Sequence, residues 1–177
     1  SSIGLITTSP NWRHALPGSL HFSTVSDAPG AAVARSVTPI AQPKLFGGCL
    51  CGAVRYHIAG SAQEVYHCHC SMCRRAHGAL FASFAVVRKD QFVIDKGAEA
   101  LSCYESSPGV FRFFCARCGC QLYGDLERRP DARFFAIGTL DGGAHPGHAP
   151  RHERHVFVES KVPWWPITDG LPQSSEF

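Results

Sequence analysis

Nine cysteines lie in this 177-residue chain, all between positions 49 and 120. Seven of them form three tight clusters: Cys49-Leu50-Cys51, Cys68-His69-Cys70-Ser71-Met72-Cys73 and Cys115-Ala116-Arg117-Cys118-Gly119. An odd count in Cys-x-Cys and Cys-x-x-Cys spacings suits metal chelation better than disulfide stapling. It also implies a reducing compartment, the cytoplasm first. Four thiolates close a tetrahedral zinc, whereas three leave one position for water or substrate. A pair, a triplet and a pair therefore predict two zinc ions per chain, one structural and one catalytic. An enzyme is the leading expectation, and a non-catalytic zinc-stabilised binding module the competing one.

The rest of the composition sets bounds. Hydrophobic residues make up 45% and charged residues 18%, a globular balance. The formal net charge of +3 is too small to point to a nucleic-acid partner. No apolar run reaches the length of a membrane-spanning helix. Residues 1–44 hold five prolines and eleven serines or threonines, but only Arg13, Asp27, Arg35 and Lys44 as charges. The expected division is an N-terminal extension over residues 1–45 and a zinc-binding domain over 46–177. The acid-poor, Ser-rich extension also has the composition of a transit-peptide remnant, which would place the protein in an organelle matrix. The chain starts with Ser rather than Met, so an earlier start or a removed targeting signal is expected. A homo-oligomer is compatible with all of this.

From about Phe46 the pattern is that of strands. Val54, Tyr56 and Ile58 alternate with Arg55 and His57, as in a half-buried strand. Further strands are expected at Leu80–Val87, Gln91–Ile94, Val110–Phe114, Phe134–Ile137 and His155–Val158. One short helix is expected near Met72–Ala76. The fold class is all-β: small sheets in a sandwich or tent-like arrangement around zinc, with few helical turns.

Alternate residues of a strand share a face, so Cys49 and Cys51 could serve one metal from an extended segment. Cys115-x-x-Cys118-Gly119 has the form of a zinc knuckle. The two pairs together make a closed four-thiolate site, clipping the start of the domain to its middle. Cys68, Cys70 and Cys73 present three thiolates within six residues. A second structural site, completed by His69, His67, Cys103 or Cys120, is the alternative. Three thiolates on Zn²⁺ leave a formal charge of −1, which Arg74 and Arg75 could offset while attracting an anionic substrate. Asp141 could orient a ligand or act as base, or cap a turn. His155 fits a satisfied strand histidine, and Trp164 and Trp165 fit packing near a groove.

These residues resemble the glutathione-dependent formaldehyde-activating enzyme (Gfa) family, which includes centromere protein V-like proteins. The matching motifs are Gly48-Cys49-x-Cys51-Gly52-x-Val54-x-Tyr56, Cys68-His69-Cys70-x-x-Cys73-Arg74-Arg75-x-x-Gly78-Ala79 and Phe114-Cys115-x-x-Cys118-Gly119-x-x-Leu122-Tyr123. Gly138-Thr139-Leu140-Asp141, His155-x-Phe157 and Lys161-x-Pro163-Trp164 follow, so the resemblance spans roughly residues 46–172. It implies Cys49, Cys51, Cys115 and Cys118 as structural ligands and Cys68, Cys70 and Cys73 as catalytic ones. Arg75, Lys161 and Trp164 are the expected substrate-binding residues; Arg74 and Asp141 are expected at the reaction centre. The implied activity is that of a carbon–sulfur lyase joining glutathione and formaldehyde into S-hydroxymethylglutathione. A small thiol or thiol adduct is the expected partner, glutathione first. Hydrolysis of an imine or other small adduct is the alternative chemistry at an open zinc.

Overall fold

The computed structural model describes residues 44–177, so the expectations for residues 1–43 lie outside the described residues. Eleven strands and one α-helix follow in order. They are β1 (Lys44–Gly48), β2 (Arg55–Ala59), β3 (Glu64–Cys68), α1 (Ser71–His77), β4 (Ala82–Arg88), β5 (Phe92–Lys96), β6 (Leu101–Ser107), β7 (Val110–Cys115), β8 (Gln121–Leu126), β9 (Ala132–Ala136), β10 (Glu153–Val156) and β11 (Gln173–Ser174). The fold is mainly β, as expected. Strand β1 starts at Lys44, two positions ahead of the boundary read from the sequence.

The strands form two sheets. A three-stranded antiparallel sheet has the order β1-β2-β5, and an eight-stranded sheet the order β11-β10-β3-β4-β9-β8-β7-β6. Strand β10 runs parallel to both β3 and β11, and the other pairings are antiparallel. In β2 the inward residues Tyr56 and Ile58 are fully buried, while Arg55 and His57 flank them half-buried. They pack with Phe92 of β5 on one face of the large sheet, against Val65, Ala85, Val87, Leu122 and Phe135. Tyr56 stacks on Phe92 at 4.5 Å between ring centroids, and its hydroxyl pairs with Thr139 Oγ1 at 2.6 Å. Each such buried side chain contributes about 1.5–3 kcal/mol of transfer free energy.

The large sheet is apolar on its other face too. Successive residues of a strand point to opposite faces. Val65, Ala85 and Phe135 therefore face the small sheet, while their neighbours Tyr66, Phe84 and Phe134 form a second core with Cys68, Cys73 and Val156. The second core is where α1 sits. Its N-cap is Cys70, whose sulfur accepts from the Cys73 N–H. It ends at Gly78, which has left-handed backbone (φ 57°) and donates its N–H to the Arg74 carbonyl.

Candidate metal centres and the cavity beside the triplet

Two turns build the four-cysteine set. After β1 the chain turns back, with Gly52 N–H on the Cys49 carbonyl at 3.0 Å and Cys49 N–H on the Val54 carbonyl at 3.1 Å. Cys49 and Cys51 thus sit on a turn, not on the extended segment the alternation suggested. After β7 the Gly119 N–H closes on the Cys115 carbonyl at 2.8 Å. Gly52 (φ 72°) and Gly119 (φ 71°) supply the left-handed backbone that both turns need.

The four sulfurs of Cys49, Cys51, Cys115 and Cys118 lie within 4.8 Å of one another. Cys49 Sγ is 3.6 Å from Cys51 Sγ, which is 3.8 Å from Cys115 Sγ. Sulfurs on a tetrahedron of about 2.3 Å zinc bonds stand about 3.8 Å apart, so this donor set fits zinc. The Val54 N–H points at Cys49 Sγ at 3.2 Å. Backbone N–H groups of Cys120, then Cys51, pull the Cys118 thiol down to about 6. Cys120 stays outside the set, its thiol directed at the Gln121 carbonyl. Cys103 is exposed on β6.

Cys68 ends β3, Cys70 caps α1 and Cys73 lies in the helix's first turn, and their sulfurs also fall within 4.8 Å of one another. Among the described residues no further Cys, His, Asp or Glu joins them at that distance. The Cys70 thiol is held well below its ordinary value because its sulfur accepts from Cys68 and Cys73 and from the N–H groups of Cys73 and Met72. Cys68 is pushed up by the same neighbours, Cys70 first. Three soft, largely buried sulfurs thus converge, a donor set suited to zinc.

The triplet opens on a cavity of about 450 Å³, walled by Tyr66, Phe84, Phe134, Phe157 and Phe177 and by the β6–β7 turn. Arg112 enters from β7: its Nη2 donates toward Cys73 Sγ at 3.5 Å, and its Nε is buried with no partner among the described residues. Sequence reasoning passed over Arg112. The available signal was a lone arginine inside the apolar run Val110–Phe114.

Arg74, Arg75 and Lys161 are not among the residues that line this cavity. Arg74 Nε donates to the His69 carbonyl at 3.1 Å. Arg74 and Arg75 line a surface recess with Gly78, Leu80 and Val162, away from the triplet's cavity. Lys161 is half-buried, its charge felt at His69. Trp164 is 70% exposed, whereas Trp165 packs edge-on against Phe81. Asp141 pairs with Arg55 of β2 and is not brought to the triplet. The salt bridge holds its carboxyl below the usual range.

Behind the triplet lies a histidine cluster. His69 and His155 are buried and in hydrogen-bond contact, and His155 reaches Asp169. His67 bonds Ser83 and Glu153, and His148 bonds the other oxygen of Glu153. Burial pushes the Glu153 carboxyl up, but the bonds from His148 and His67 leave it below its ordinary value.

The family model described as glutathione-dependent formaldehyde-activating enzyme matches residues 44–160, which include both cysteine sets and Arg112. The chain belongs to this family. It is 32% identical to a Fusarium vanettenii protein over 85 residues, 48% of this chain and 46% of that one. Proteins of Aspergillus flavus and Aspergillus oryzae are each 32% identical over 81 residues, 45% of this chain and 42% of theirs. All three bear the name "Putative glutathione-dependent formaldehyde-activating enzyme". The matches span less than half the length of these curated relatives. A crystal structure of a Rhodobacter sphaeroides protein aligns with 57% of this chain and 91% of its own, at 27% identity and a TM-score of 0.47. In this family member, two cysteine sets able to hold metal lie in one β-rich unit. No helix among its described residues is long and apolar enough to cross a membrane.

Proposed function

We propose that the 46–177 domain is a zinc-dependent enzyme of the carbon–sulfur lyase type, acting on an adduct of a small thiol and an aldehyde. Glutathione with formaldehyde is the reference pair. The observation that carries this reading is the contrast between the cysteine sets. The triplet opens on a cavity with an arginine at its sulfur, whereas the four-cysteine set sits in two turns off that cavity.

Zinc held by Cys68, Cys70 and Cys73 would supply Lewis acidity, which favours the anion of a bound thiol or water. The chain's own residues do the rest. Cys68, Cys70 and Cys73 fix the position of the centre from β3 and α1. Arg112 brings a cation to the Cys73 sulfur, offsetting the surplus charge of three thiolates and favouring an anionic reactant there. The aromatic walls exclude water from the reacting carbon. The cationic role expected of Arg74 passes to Arg112, and Arg74, Arg75, Lys161 and Trp164 serve the approach of a charged thiol over the outer surface.

The test is cobalt substitution followed by glutathione titration, with zinc content measured in parallel. Two metals per chain and cobalt–thiolate bands that shift on adding glutathione are expected. Unshifted bands, with no acceleration of glutathione–formaldehyde exchange, would overturn the thiol reading and leave imine hydrolysis as the chemistry to test.

A further inference from the structure

Formaldehyde carries only hydrogens on its carbonyl carbon and needs no pocket for a side group. The cavity beside the triplet is built for something larger. Phe84 stacks on Tyr66 at 5.4 Å, and Phe134 meets Tyr66 edge-on at 5.8 Å. Phe177 closes the far side, edge-on to Tyr66 at 4.7 Å and 5.9 Å from Phe134. All four rings line the same space as Cys68, Cys70 and Cys73.

Two further features mark this wall as a binding surface rather than spare core. Phe157 also lines the cavity, and among the described residues it is the only non-glycine with positive φ (56°). Left-handed backbone is unfavourable at a bulky residue and persists where surrounding structure enforces it. Here that backbone holds a fifth ring beside the triplet. Second, Arg128 lines the cavity with its guanidinium 5.7 Å from the Phe177 ring centroid, and it has no ion-pair partner among the described residues. Its neighbour Arg129 is instead tied to Glu64 at 3.1 Å.

We infer that the cavity receives the aryl group of an aromatic aldehyde, with its carbonyl at the triplet and Arg128 available to an anionic substituent at the far end. A volume of about 450 Å³ is ample for a substituted benzene ring. Offset and edge-on ring contacts give such a group directional attraction beyond its burial. Arg112, Asp125, Glu127 and Arg128 line the same cavity, but the five rings form its apolar wall and suit an aryl group, and the thiol partner enters from the outer surface. This inference rests on the thiol–aldehyde reading above and names its carbonyl substrate. The step balances without an oxidant or reductant. The sulfur lone pair forms the C–S bond, the carbonyl π pair moves to oxygen, and the proton given up by the thiol ends on that oxygen, giving a hemithioacetal.

Saturation-transfer NMR on the zinc-loaded full chain, with benzaldehyde as probe, tests the occupant independently of the chemistry. Strong saturation of the ring protons is expected, falling at least about fivefold in F177A and in F157G. F157G removes the ring and relieves its backbone at once, and F177A alters an edge residue, so the two fail to fold for different reasons if they fail at all. A cavity-filling S107W provides a third variant, expected to abolish saturation. No saturation in the unaltered protein, or equal saturation in all four proteins, would overturn the inference. Exchange NMR of glutathione with benzaldehyde and with formaldehyde then separates the two ideas. A benzaldehyde-to-formaldehyde kcat/KM ratio that falls in F177A supports the aryl site, and a ratio that does not move refutes it. Absence of exchange with either aldehyde refutes the thiol chemistry, while the saturation result still decides what the cavity holds.

Discussion

His69 Nε2 stands 2.8 Å from His155 Nδ1, joining the peptide between two triplet cysteines to strand β10. His155 Nε2 stands 2.8 Å from Asp169 Oδ2. A carboxylate only accepts, so His155 Nε2 carries a hydrogen. Burial, then the neighbouring His155, pushes His69 down to about 4, so His69 is neutral at ordinary pH. His69 Nε2 and His155 Nδ1 therefore share one hydrogen between them. The His69 backbone N–H adds a bond to the Val156 carbonyl at 3.0 Å.

Replacing His155 with leucine leaves the buried His69 Nε2 without its partner. A loss of about 1–3 kcal/mol is expected, read as a lowered melting temperature with zinc in excess. Asp169→Asn keeps an acceptor near His155 and should cost less. Equal melting temperatures for His155→Leu and the unaltered chain would show that the pair does not hold the segment.

The two cysteine sets should separate on mutation. Cys115→Ser breaks the clip between two distant turns. Structural zinc is worth about 10–16 kcal/mol in small peptides, comparable to the whole stability of a domain, so unfolding is expected. Cys70→Ser disturbs a locally chelated trio, so circular dichroism should stay near normal while activity and one zinc are lost. Prolonged treatment with a strong chelator should reproduce the Cys115→Ser state. A Cys70→Ser protein as unfolded as Cys115→Ser would make the triplet structural.

Arg112→Met should lower kcat/KM for thiol–aldehyde exchange by about 10- to 100-fold, the scale for one lost charge-assisted donor. Arg74→Met, whose side chain holds the His69 carbonyl, should do less to kcat and more to melting temperature. The reverse order of effects on kcat would return the cationic role to Arg74.

His77 offers a pH test. Burial, then the nearby Arg112 cation, pushes its imidazole down to about 4 from an ordinary 6.5. Between those values the unfolded chain binds the proton and the folded chain does not. His77's share of stability is thus complete above pH 6.5, falls as pH drops through the window, and levels off near 4. The loss should reach about 1–2 kcal/mol, allowing for the ring's partial exposure. His77→Asn should flatten that part of the curve when urea midpoints of the two proteins are compared across pH. Parallel curves would mean that the ring is solvated.

Much of the fold was legible because local patterns decided it. The alternation of Val54, Tyr56 and Ile58 marked the inner strand, and the cysteine spacing located both sets. Strands β3, β6 and β8 were harder. Glu64–Cys68 mixes polar and apolar residues because both its faces pack, Leu101–Ser107 is a largely polar edge, and Gln121–Leu126 is interrupted by Gly124 and Asp125. Arg112 was hidden for another reason. It lies 39 positions from Cys73, and only the pairing of β7 into the large sheet brings it there. Phe177 and Asp169 likewise reach their partners through β10 and β11, whose parallel pairing leaves no short-range signature.

The double-sided sheet has a genetic consequence. Along β3, β4 and β9, neighbouring codons serve different ends: Val65, Ala85 and Phe135 support the small sheet, and Tyr66, Phe84 and Phe134 furnish the cavity. A library of single substitutions, scored once for abundance in cells and once for turnover, should therefore split with a period of two. Alternate positions would lose abundance, and those between them would lose turnover first. A polar replacement tolerated at Phe134 but not at Phe135 would be the simplest sign that evolution can retune what this protein accepts without rebuilding what holds it together.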